Sequence, residues 1–334
     1  MKIAPEAIFF LILCIIFIMN ITVLGTGFMG KKHKAVLENL EEVQRIYEVD
    51  NHHSKDEVDY YSSVEHFLKE KPQSELVVVA TPNYLHFQHA KLLLENGYNV
   101  LIEKPFCFKT EEAEILKKTA ELHHAKVFLV MQNRYSSVAQ LLKSLVETQE
   151  LGKIYNIQFN AFWNRGKSYY TGDSWKGKKE MDGGILYTQF AHLIDLVLDV
   201  FKGKNTIVYK ELMSYRNQEI SEIEDTVLLL LKNDTGMRCV FNFSTAVYEK
   251  NEETSLNIIA EKGTLKISGQ YFNEIVYQNV EGRNEIFHIE KNTNEENLTH
   301  MYEEVFKALK NQENHSITID DGIALVQLLE EVYS

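Results

Sequence analysis

Three glycines at fixed spacing give the clearest chemical signal in the sequence. Gly25, Gly27 and Gly30 follow a short apolar run and precede an amphipathic segment, with Phe28 and Met29 between them. In a strand–turn–helix setting the first glycine permits a tight turn, the second lets backbone approach a pyrophosphate, and the third lets helix and strand pack closely. The stretch therefore predicts a dinucleotide-binding turn at a helix N-terminus. The alternative is an ordinary tight turn.

One carboxylate has the spacing that such a turn requires. Asp50 lies 20 residues after Gly30, at the end of the next predicted strand. There it would accept hydrogen bonds from the adenosine ribose hydroxyls and repel a 2′-phosphate. No arginine follows it in the stretch Asn-His-His-Ser at 51–54. The sequence therefore predicts NAD rather than NADP as the cofactor, and Asp50 as a simple strand-end cap stays open.

Two short polar stretches follow predicted parallel strands. They are Thr81-Pro82-Asn83 and Glu103-Lys104-Pro105. Ligands of open α/β sheets bind at the carboxyl ends of the strands, so these stretches belong to the predicted ligand edge. From the residues alone, a lysine between an acid and a proline is also explained as a solvated surface residue.

Aromatic and basic residues mark the start of the second half. They comprise Arg134 and Tyr135, then Trp163 and Arg165, and then Tyr169, Tyr170 and Trp175 in a glycine-rich basic loop. Aromatic rings stack on sugar or base faces, and arginine binds carboxylate or phosphate through paired hydrogen bonds. The pattern predicts contacts to a sugar-like substrate, and an ordinary polar loop is the alternative.

Taken together, these stretches resemble the glucose–fructose oxidoreductase / inositol dehydrogenase / MocA family over residues 20–334. The resemblance rests on Gly-Thr-Gly-Phe-Met-Gly at 25–30, on Thr81-Pro82-Asn83 with His86, on Glu103-Lys104-Pro105, and on a long antiparallel half. It implies a dehydrogenase that uses NAD(P) and acts on CH–OH groups. It also implies cofactor contacts from these stretches, and a Lys104 that points at the substrate beside the nicotinamide.

The resemblance extends to a glycine-initiated helix in the second half. The stretch from Asp182 to Asp195 fits this helix, and His192 takes the place of the family's catalytic histidine. The family's aspartate, four residues earlier, is replaced by Thr188, which cannot add the negative charge that would raise the basicity of His192. Gln189 joins the expected substrate contacts. A structural role stays open for His192, and we interpret Asp195 as a packing or orienting residue.

The same stretches also resemble the branch that oxidises UDP-N-acetylglucosaminuronic acid at C3 during surface-polysaccharide sugar synthesis. We therefore expect His192 to accept the hydroxyl proton while Lys104 stabilises the developing alkoxide. Two alternatives stay open. One is a non-catalytic dinucleotide-binding regulator, for which Thr188 is the sequence support, and the other is a dehydrogenase of a free polyol such as inositol.

Two patterns of apolar and polar residues along the chain predict the helices and strands that position these residues. Apolar runs alternate with amphipathic segments up to residue 135, which predicts strands at 21–24, 44–49, 76–80, 99–102 and 127–131 and helices at 31–40, 64–70, 87–96 and 111–123. Alternating segments at 154–163, 226–232, 237–245 and 255–260 predict an antiparallel sheet, and helices are expected at 298–310 and 322–333.

We therefore predict an α/β chain in two domains. A Rossmann domain over 19–136 would bind the dinucleotide. An α+β domain over 137–334 would bind the substrate and, by family analogy, form a homo-oligomer, either a dimer or a tetramer.

Composition narrows the partners. The net charge of −13 argues against nucleic acid as a partner, so an anionic substrate would need a few placed cations such as Lys104 or Arg165. Three widely separated cysteines predict no metal site and a reducing, cytoplasmic compartment. The apolar stretch 7–19 is shorter than the roughly 20 residues that a spanning helix needs. We interpret residues 1–18 as an incidental leader before a natural start at Met19, and a membrane anchor or export signal is the alternative.

Overall fold

The computed structural model describes residues 18–51, 59–172, 175–216, 218–269, 272–312 and 315–334. All but the last residue of the segment 1–18 lies outside the described residues, as do His52, His53 and Ser54. The interpretation of those segments stays a prediction.

A six-stranded parallel sheet forms the first half, in the order β3-β2-β1-β4-β5-β6. Its central strands β4 and β5 consist of Val, Leu and Ile and are buried throughout, as expected for a parallel sheet covered on both faces. The expected parallel sheet is thus confirmed, although the two-residue strand β3 was too short to show a pattern. The strands are β1 (Met19–Leu24), β2 (Val43–Val49), β3 (Tyr60–Tyr61), β4 (Leu76–Val79), β5 (Val100–Ile102) and β6 (Val127–Leu129).

Four helices connect these strands, close to the predicted positions. Before the helix Val64–Glu70, the side chain of Ser63 accepts a hydrogen bond from the His66 amide, which satisfies one of the free amides of the first turn. Two 3₁₀ turns, Asn83–Leu85 and Gln132–Tyr135, follow β4 and β6. The helices are α1 (Phe28–Leu37), α2 (Val64–Glu70), α3 (His86–Glu95) and α4 (Thr110–Leu122).

A seven-stranded sheet forms the second half, in the order β13-β12-β11-β7-β10-β9-β8. Its pairs are antiparallel except that β7 and β10 run parallel, so the sheet is mainly antiparallel, as expected. Alternating burial is the same for either direction of a neighbour, so the sequence pattern could not reveal this pair. The strands are β7 (Ile154–Phe162), β8 (Asn205–Met213), β9 (Thr226–Asn233), β10 (Arg238–Ser244), β11 (Glu253–Ala260), β12 (Gly263–Ser268) and β13 (Glu274–Val280).

The helices of the second half link the two sheets. Met301, Tyr302 and Phe306 of α9 pack in one cluster with Met19 and Ile21 of β1, so the chain returns to cover a face of the first sheet. No helix in the described ranges is long and apolar enough to cross a membrane. The helices are α5 (Ser137–Glu147), α6 (Lys167–Thr171), α7 (Lys179–Asp182), α8 (Ala191–Val200), α9 (Asn294–Leu309) and α10 (Ile319–Tyr333), and a π-helical turn, Leu186–Phe190, precedes α8.

Candidate active site

The glycine turn between β1 and α1 has the shape that a dinucleotide requires. Gly25 has a φ of +94°, and a Cβ there would lie 2.7 Å from the carbonyl oxygen of Ala80. A Cβ on Gly30 would lie 1.8 Å from the carbonyl oxygen of Gly25, so only glycine lets α1 pack this closely. A Cβ on Gly27 would meet no described atom within 4 Å. The turn is therefore open at Gly27, where backbone can approach a pyrophosphate at the start of α1.

Asp50 lies beside this turn, at the end of β2. Its Oδ2 accepts hydrogen bonds from the Thr26 amide at 2.7 Å and from the Thr26 hydroxyl at 3.0 Å. The Asp50 amide donates to the carbonyl oxygen of Tyr61 at 3.1 Å, which fixes the carboxylate at the sheet edge. Phe28 is exposed and Met29 is half-buried at the start of α1. A carboxylate next to an open glycine turn fits the phosphates and ribose of a dinucleotide.

His86 connects two loops, and its predicted contact with the cofactor stays a prediction. Its Nδ1 lies 2.7 Å from the carbonyl oxygen of Pro105, and its Nε2 lies 2.6 Å from the carbonyl oxygen of Thr81. Both ring nitrogens are therefore engaged with backbone. Burial lowers the pKa of His86, whereas the two carbonyl oxygens, which can both accept only from a doubly protonated ring, raise it. The histidine holds together the loops that begin with Thr81-Pro82-Asn83 and Glu103-Lys104-Pro105.

The carboxylate of Glu103 is also buried rather than presented to a ligand. Its Oε1 lies 3.0 Å from Nε2 of His33, and its Oε2 accepts a hydrogen bond from the Lys104 amide at 3.0 Å. Nδ1 of His33 lies 2.6 Å from the hydroxyl of Tyr302 on α9. Burial would raise the pKa of Glu103, but the hydrogen bond and charge of His33 outweigh it and lower the pKa to about 2. The carboxylate of Glu103 therefore orients the backbone of Lys104, and its predicted cofactor contact stays a prediction.

The side chain of Lys104 reaches from the first half of the chain to the second. Its Nζ donates to the carbonyl oxygen of Thr188, which lies in the π-helical turn before α8. Such turns are often found at functional sites. Burial lowers the pKa of Lys104, and the negative charges of Glu103 and Asp182 oppose that effect. Lys104 is thus half-buried and hydrogen-bonded to the second half of the chain, rather than a solvated surface residue.

Thr188 connects Lys104 to two other predicted segments. Its hydroxyl donates to Oδ1 of Asp182 and accepts from Nδ2 of Asn83 at 3.2 Å. The same Asn83 amide donates to the carbonyl oxygen of Asp182 at 3.2 Å. The loop after β4 therefore meets the glycine stretch of the second half. We assigned no role to the carboxylate of Asp182 from the sequence, although it lies in the same stretch, 182–195, as His192.

His192 lies half-buried in the first turn of α8. Its Nδ1 is buried and has no hydrogen-bond partner among the described residues. Burial, followed by the positive charge of Lys104, lowers the pKa of His192 to about 3. The ring is therefore neutral near pH 7, the form in which an imidazole accepts a proton. Its electrostatic interaction with Lys104 indicates that the two predicted catalytic groups are close together.

A wall of cations and aromatic rings adjoins this centre. Nε of Arg165 donates to Oε1 of Gln189 at 2.6 Å, and Nε2 of Gln189 donates to the Tyr169 hydroxyl at 2.7 Å. The Arg165 guanidinium lies 5.2 Å from the ring centroid of Trp163, and Nζ of Lys176 lies 5.9 Å from that of Trp175. The structure therefore brings together the aromatic and basic residues predicted from the loop, and it adds Lys176.

The side chains of Arg134 and Tyr135 hydrogen-bond to acidic side chains of the second half, and their predicted contact with substrate stays a prediction. The guanidinium of Arg134 donates to both carboxylate oxygens of Asp195, at 2.8 and 2.6 Å, and lies 3.2 Å from a carboxylate oxygen of Asp199. Arg134 is buried, so its charge is matched inside the protein. The Tyr135 hydroxyl donates to Glu304 at 2.8 Å. Asp195 has the orienting role expected for it.

The gathered groups suit transfer of a hydride together with a proton. An ammonium, Lys104, can stabilise a developing negative charge, and a neutral imidazole, His192, can accept a proton. The wall containing Arg165 can hold an anionic or aromatic part of a ligand. Within the described part of the chain, no three His, Cys, Asp or Glu side chains are grouped so that they could hold a metal ion.

Two family models match the chain. The model described as an oxidoreductase family with an NAD-binding Rossmann fold matches residues 19–131. The model of the GFO/IDH/MocA C-terminal domain matches residues 139–266. These matches confirm the resemblance that the sequence motifs indicated and the assignment of the first half as a dinucleotide-binding fold.

Individual relatives are more distant. The glucose-6-phosphate 3-dehydrogenase of Bacillus subtilis is 29% identical over 218 residues, which cover 63% of this chain and 61% of that protein. The chain thus spans about three fifths of the length of this curated relative. The WlbA dehydrogenase of Bordetella pertussis, crystallised with NADH and UDP-GlcNAcA, is 24% identical with a TM-score of 0.83, covering 95% of this chain and 94% of that one. The WlbA dehydrogenase of Chromobacterium violaceum, crystallised with the same two ligands, is 25% identical, with a TM-score of 0.83 and coverage of 95% and 93%.

Proposed function

The chain belongs to the GFO/IDH/MocA oxidoreductase family, and we propose that it transfers a hydride between NAD and a hydroxyl-bearing carbon of a sugar nucleotide. The observation that carries this proposal is the proximity of three residues: Lys104 donates a hydrogen bond to Thr188 and interacts electrostatically with His192. Residues 19–136 would hold the dinucleotide. Residues 137–334 would supply the substrate wall and the contacts between subunits.

The residues around the glycine turn fit NAD. The backbone at Gly25, Gly27 and Gly30 would hold the pyrophosphate, and Asp50 would hold the adenosine ribose. The loop with Thr81, Pro82 and Asn83 would lie along the cofactor at the next strand end. The cofactor supplies the hydride chemistry once it is bound.

Two side chains of this protein would act on the sugar hydroxyl. His192 would accept the hydroxyl proton, because its ring is neutral and its buried Nδ1 has no partner in the described ranges. Lys104 would hold the oxygen as negative charge develops there, since a buried ammonium acts strongly where water is scarce. Thr188 would orient Lys104 through its carbonyl oxygen rather than supply a charge.

The wall beside this centre favours an anionic sugar nucleotide. Arg165 and Lys176 are the cations, and Trp163, Tyr169 and Trp175 supply faces for a sugar or base. In a chain with a net charge of −13, such a local excess of cations supports binding of an anion. The two WlbA dehydrogenases, crystallised with NADH and UDP-GlcNAcA, support a substrate of this class. The resemblance of the sequence to the UDP-N-acetylglucosaminuronic acid branch extends the proposal to surface-polysaccharide synthesis.

We also propose a cellular compartment and an oligomeric state for this activity. The described cysteines, Cys107 and Cys239, are free and buried, which supports a reducing, cytoplasmic compartment. Exposed apolar side chains such as Tyr209, Val276 and Tyr277 on the second sheet support a homo-oligomer.

A screen of cofactor reduction would test the proposed function. The protein with NAD⁺ is offered UDP-sugars, UDP-uronic acids and free polyols, and NADH absorbance is followed. Lys104→Ala and His192→Ala should each lower turnover by roughly 10²–10⁴-fold while NADH affinity stays near wild type. The exposed residues Lys109 and His300 provide matched alanine controls.

Two outcomes would count against the proposal. Full activity in both Lys104→Ala and His192→Ala would contradict the assigned roles. Tight NADH binding without turnover of any sugar nucleotide would favour the regulator instead.

A further inference from the structure

One fully buried carboxylate has no role in the mechanism described so far. Asp182 ends α7, and its Oδ2 accepts a hydrogen bond from the Gly177 amide at 2.7 Å. Its Oδ1 accepts from the hydroxyl of Thr188, whose carbonyl oxygen in turn accepts from Nζ of Lys104. Asp182 is thus one residue away from the ammonium at the centre of the site.

The charges around Asp182 belong to the same site. Lys104 and Lys176 attract it, while Glu224 opposes its charge and Tyr169 lies within electrostatic range. Burial raises the pKa of Asp182, whereas the Gly177 amide, the Thr188 hydroxyl and the two lysines lower it. On balance the pKa of Asp182 is raised, and the two lysines and the two hydrogen-bond donors are the groups that favour its anion.

We propose that Asp182 is a positioning residue for hydride transfer: through Thr188 it fixes the carbonyl oxygen that receives Lys104, and through Gly177 it ties the substrate loop to the same point. This inference rests on the proposed function. The position four residues before His192 is Thr188, which carries no acid. Asp182 of α7 instead places a carboxylate beside Thr188.

The proposal has a measurable electrostatic consequence at Lys104. Four charged or titratable groups face the Lys104 ammonium: Glu103 and Asp182 favour its charged form, and Arg165 and His192 face it from the second half. Removal of the Asp182 charge leaves Glu103 as the one acid of this set. The pH at which Lys104 loses its proton should then fall by about one unit, at the lower end of the effect of a nearby opposite charge.

Isosteric variants test this without creating a cavity. Asp182→Asn should lower kcat by roughly 10- to 100-fold, leave the KM for NAD near wild type, and move the basic limb of the pH profile down. Thr188→Val should lower kcat in the same direction because it removes the connecting hydroxyl. Thr188→Ser keeps the hydroxyl and should restore most of the activity. Glu180→Gln, an exposed acid on the same helix, is the matched control and should behave as wild type.

A second readout separates this inference from the proposed function. The ammonium of Lys104 is titrated by NMR of ¹⁵N-lysine-labelled apo protein, with Lys104→Arg to assign the signal. A midpoint lowered in Asp182→Asn and unchanged in Glu180→Gln supports the inference even if no sugar nucleotide is turned over by wild type, which would defeat only the proposed function. An unchanged midpoint in Asp182→Asn overturns the inference. An unchanged kcat in Asp182→Asn also overturns it, provided that the wild type turns over a sugar nucleotide. If Asp182→Asn does not fold, the contrast between Thr188→Val and Thr188→Ser decides in its place.

Discussion

Replacing Glu103 by glutamine should cost the protein about 3 kcal/mol of folding free energy at pH 7. Glutamine has the shape of the protonated acid, so Glu103→Gln removes the charge and keeps the packing. The pKa of Glu103 is lowered to about 2 by His33, against burial, from an ordinary value near 4.5. A difference of roughly 2.5 units corresponds to about 3 kcal/mol of preference for the ionised form in the folded state. The side chain is buried, so solvent screening does not reduce this figure much.

The sign of the pH dependence follows from the lowered pKa. The folded protein holds Glu103 ionised, so its contribution is fully present above the unfolded pKa, near 4.5, and is lost as the pH falls towards 2. The difference between wild type and Glu103→Gln should therefore be about 3 kcal/mol above pH 5 and about half of that at pH 3. Titrating groups that do not interact with Glu103 affect both proteins equally, so they cancel in the difference.

Urea unfolding of the apo protein at several pH values between 3 and about 7 measures this difference. The matched control is Glu95→Gln, because Glu95 forms an exposed ion pair with Lys91. That control should change the free energy of unfolding by no more than about 0.5 kcal/mol. If Glu103→Gln costs less than about 1 kcal/mol, and the two stability curves run parallel from pH 3 to 7, the buried pair with His33 does not stabilise the fold as argued.

Three further outcomes follow from the structure. NADH should bind more tightly than NADPH near pH 8, and Asp50→Ala should reduce that preference in fluorescence titrations; tighter binding of NADPH by the wild type would refute the role of Asp50. Gly27→Ala should fold with wild-type stability yet bind NADH more weakly, because its Cβ meets no described atom but enters the space a pyrophosphate needs; unchanged NADH affinity would contradict this. Arg134→Ala should lower the free energy of unfolding by about 3–5 kcal/mol, because Asp195 would stay buried without its partner, while Asp199 keeps its ion pair with Lys143; a loss below about 1 kcal/mol would contradict it.

Most of the fold was predictable because its signals are local. The apolar runs of β4 and β5, bounded by polar stretches, identify buried parallel strands from composition alone. The direction of β7 against β10 was not predictable, since pairing depends on contacts between distant segments. The return of α9 onto the first sheet has the same cause, because an amphipathic helix does not indicate which surface its apolar face covers.

The residues of the site were likewise predictable where their signals are local in sequence, and not where they depend on distant segments. Gly25, Gly27 and Gly30 and the carboxylate of Asp50 were found by spacing, because a turn and its neighbouring strand end are close in sequence. The partners of Arg134 were not predictable, because a buried and a ligand-binding arginine look alike in sequence and the carboxylates that bind it lie more than 60 residues away. Tyr302 was missed because it lies 269 residues from its partner His33.

The charged groups around Lys104 come from both halves of the chain. Glu103 comes from the end of β5 in the first half, and Asp182 comes from α7 in the second, yet both favour the charged form of the same ammonium against its burial. If the two halves separated, Lys104 would lose Asp182 and its bond to the Thr188 carbonyl together. Movement of one half against the other would therefore change the charge balance at the centre of the site. An ordered Lys104 ammonium thus reports that the two halves are correctly docked, which ties catalysis by this residue to the packing between the sheets.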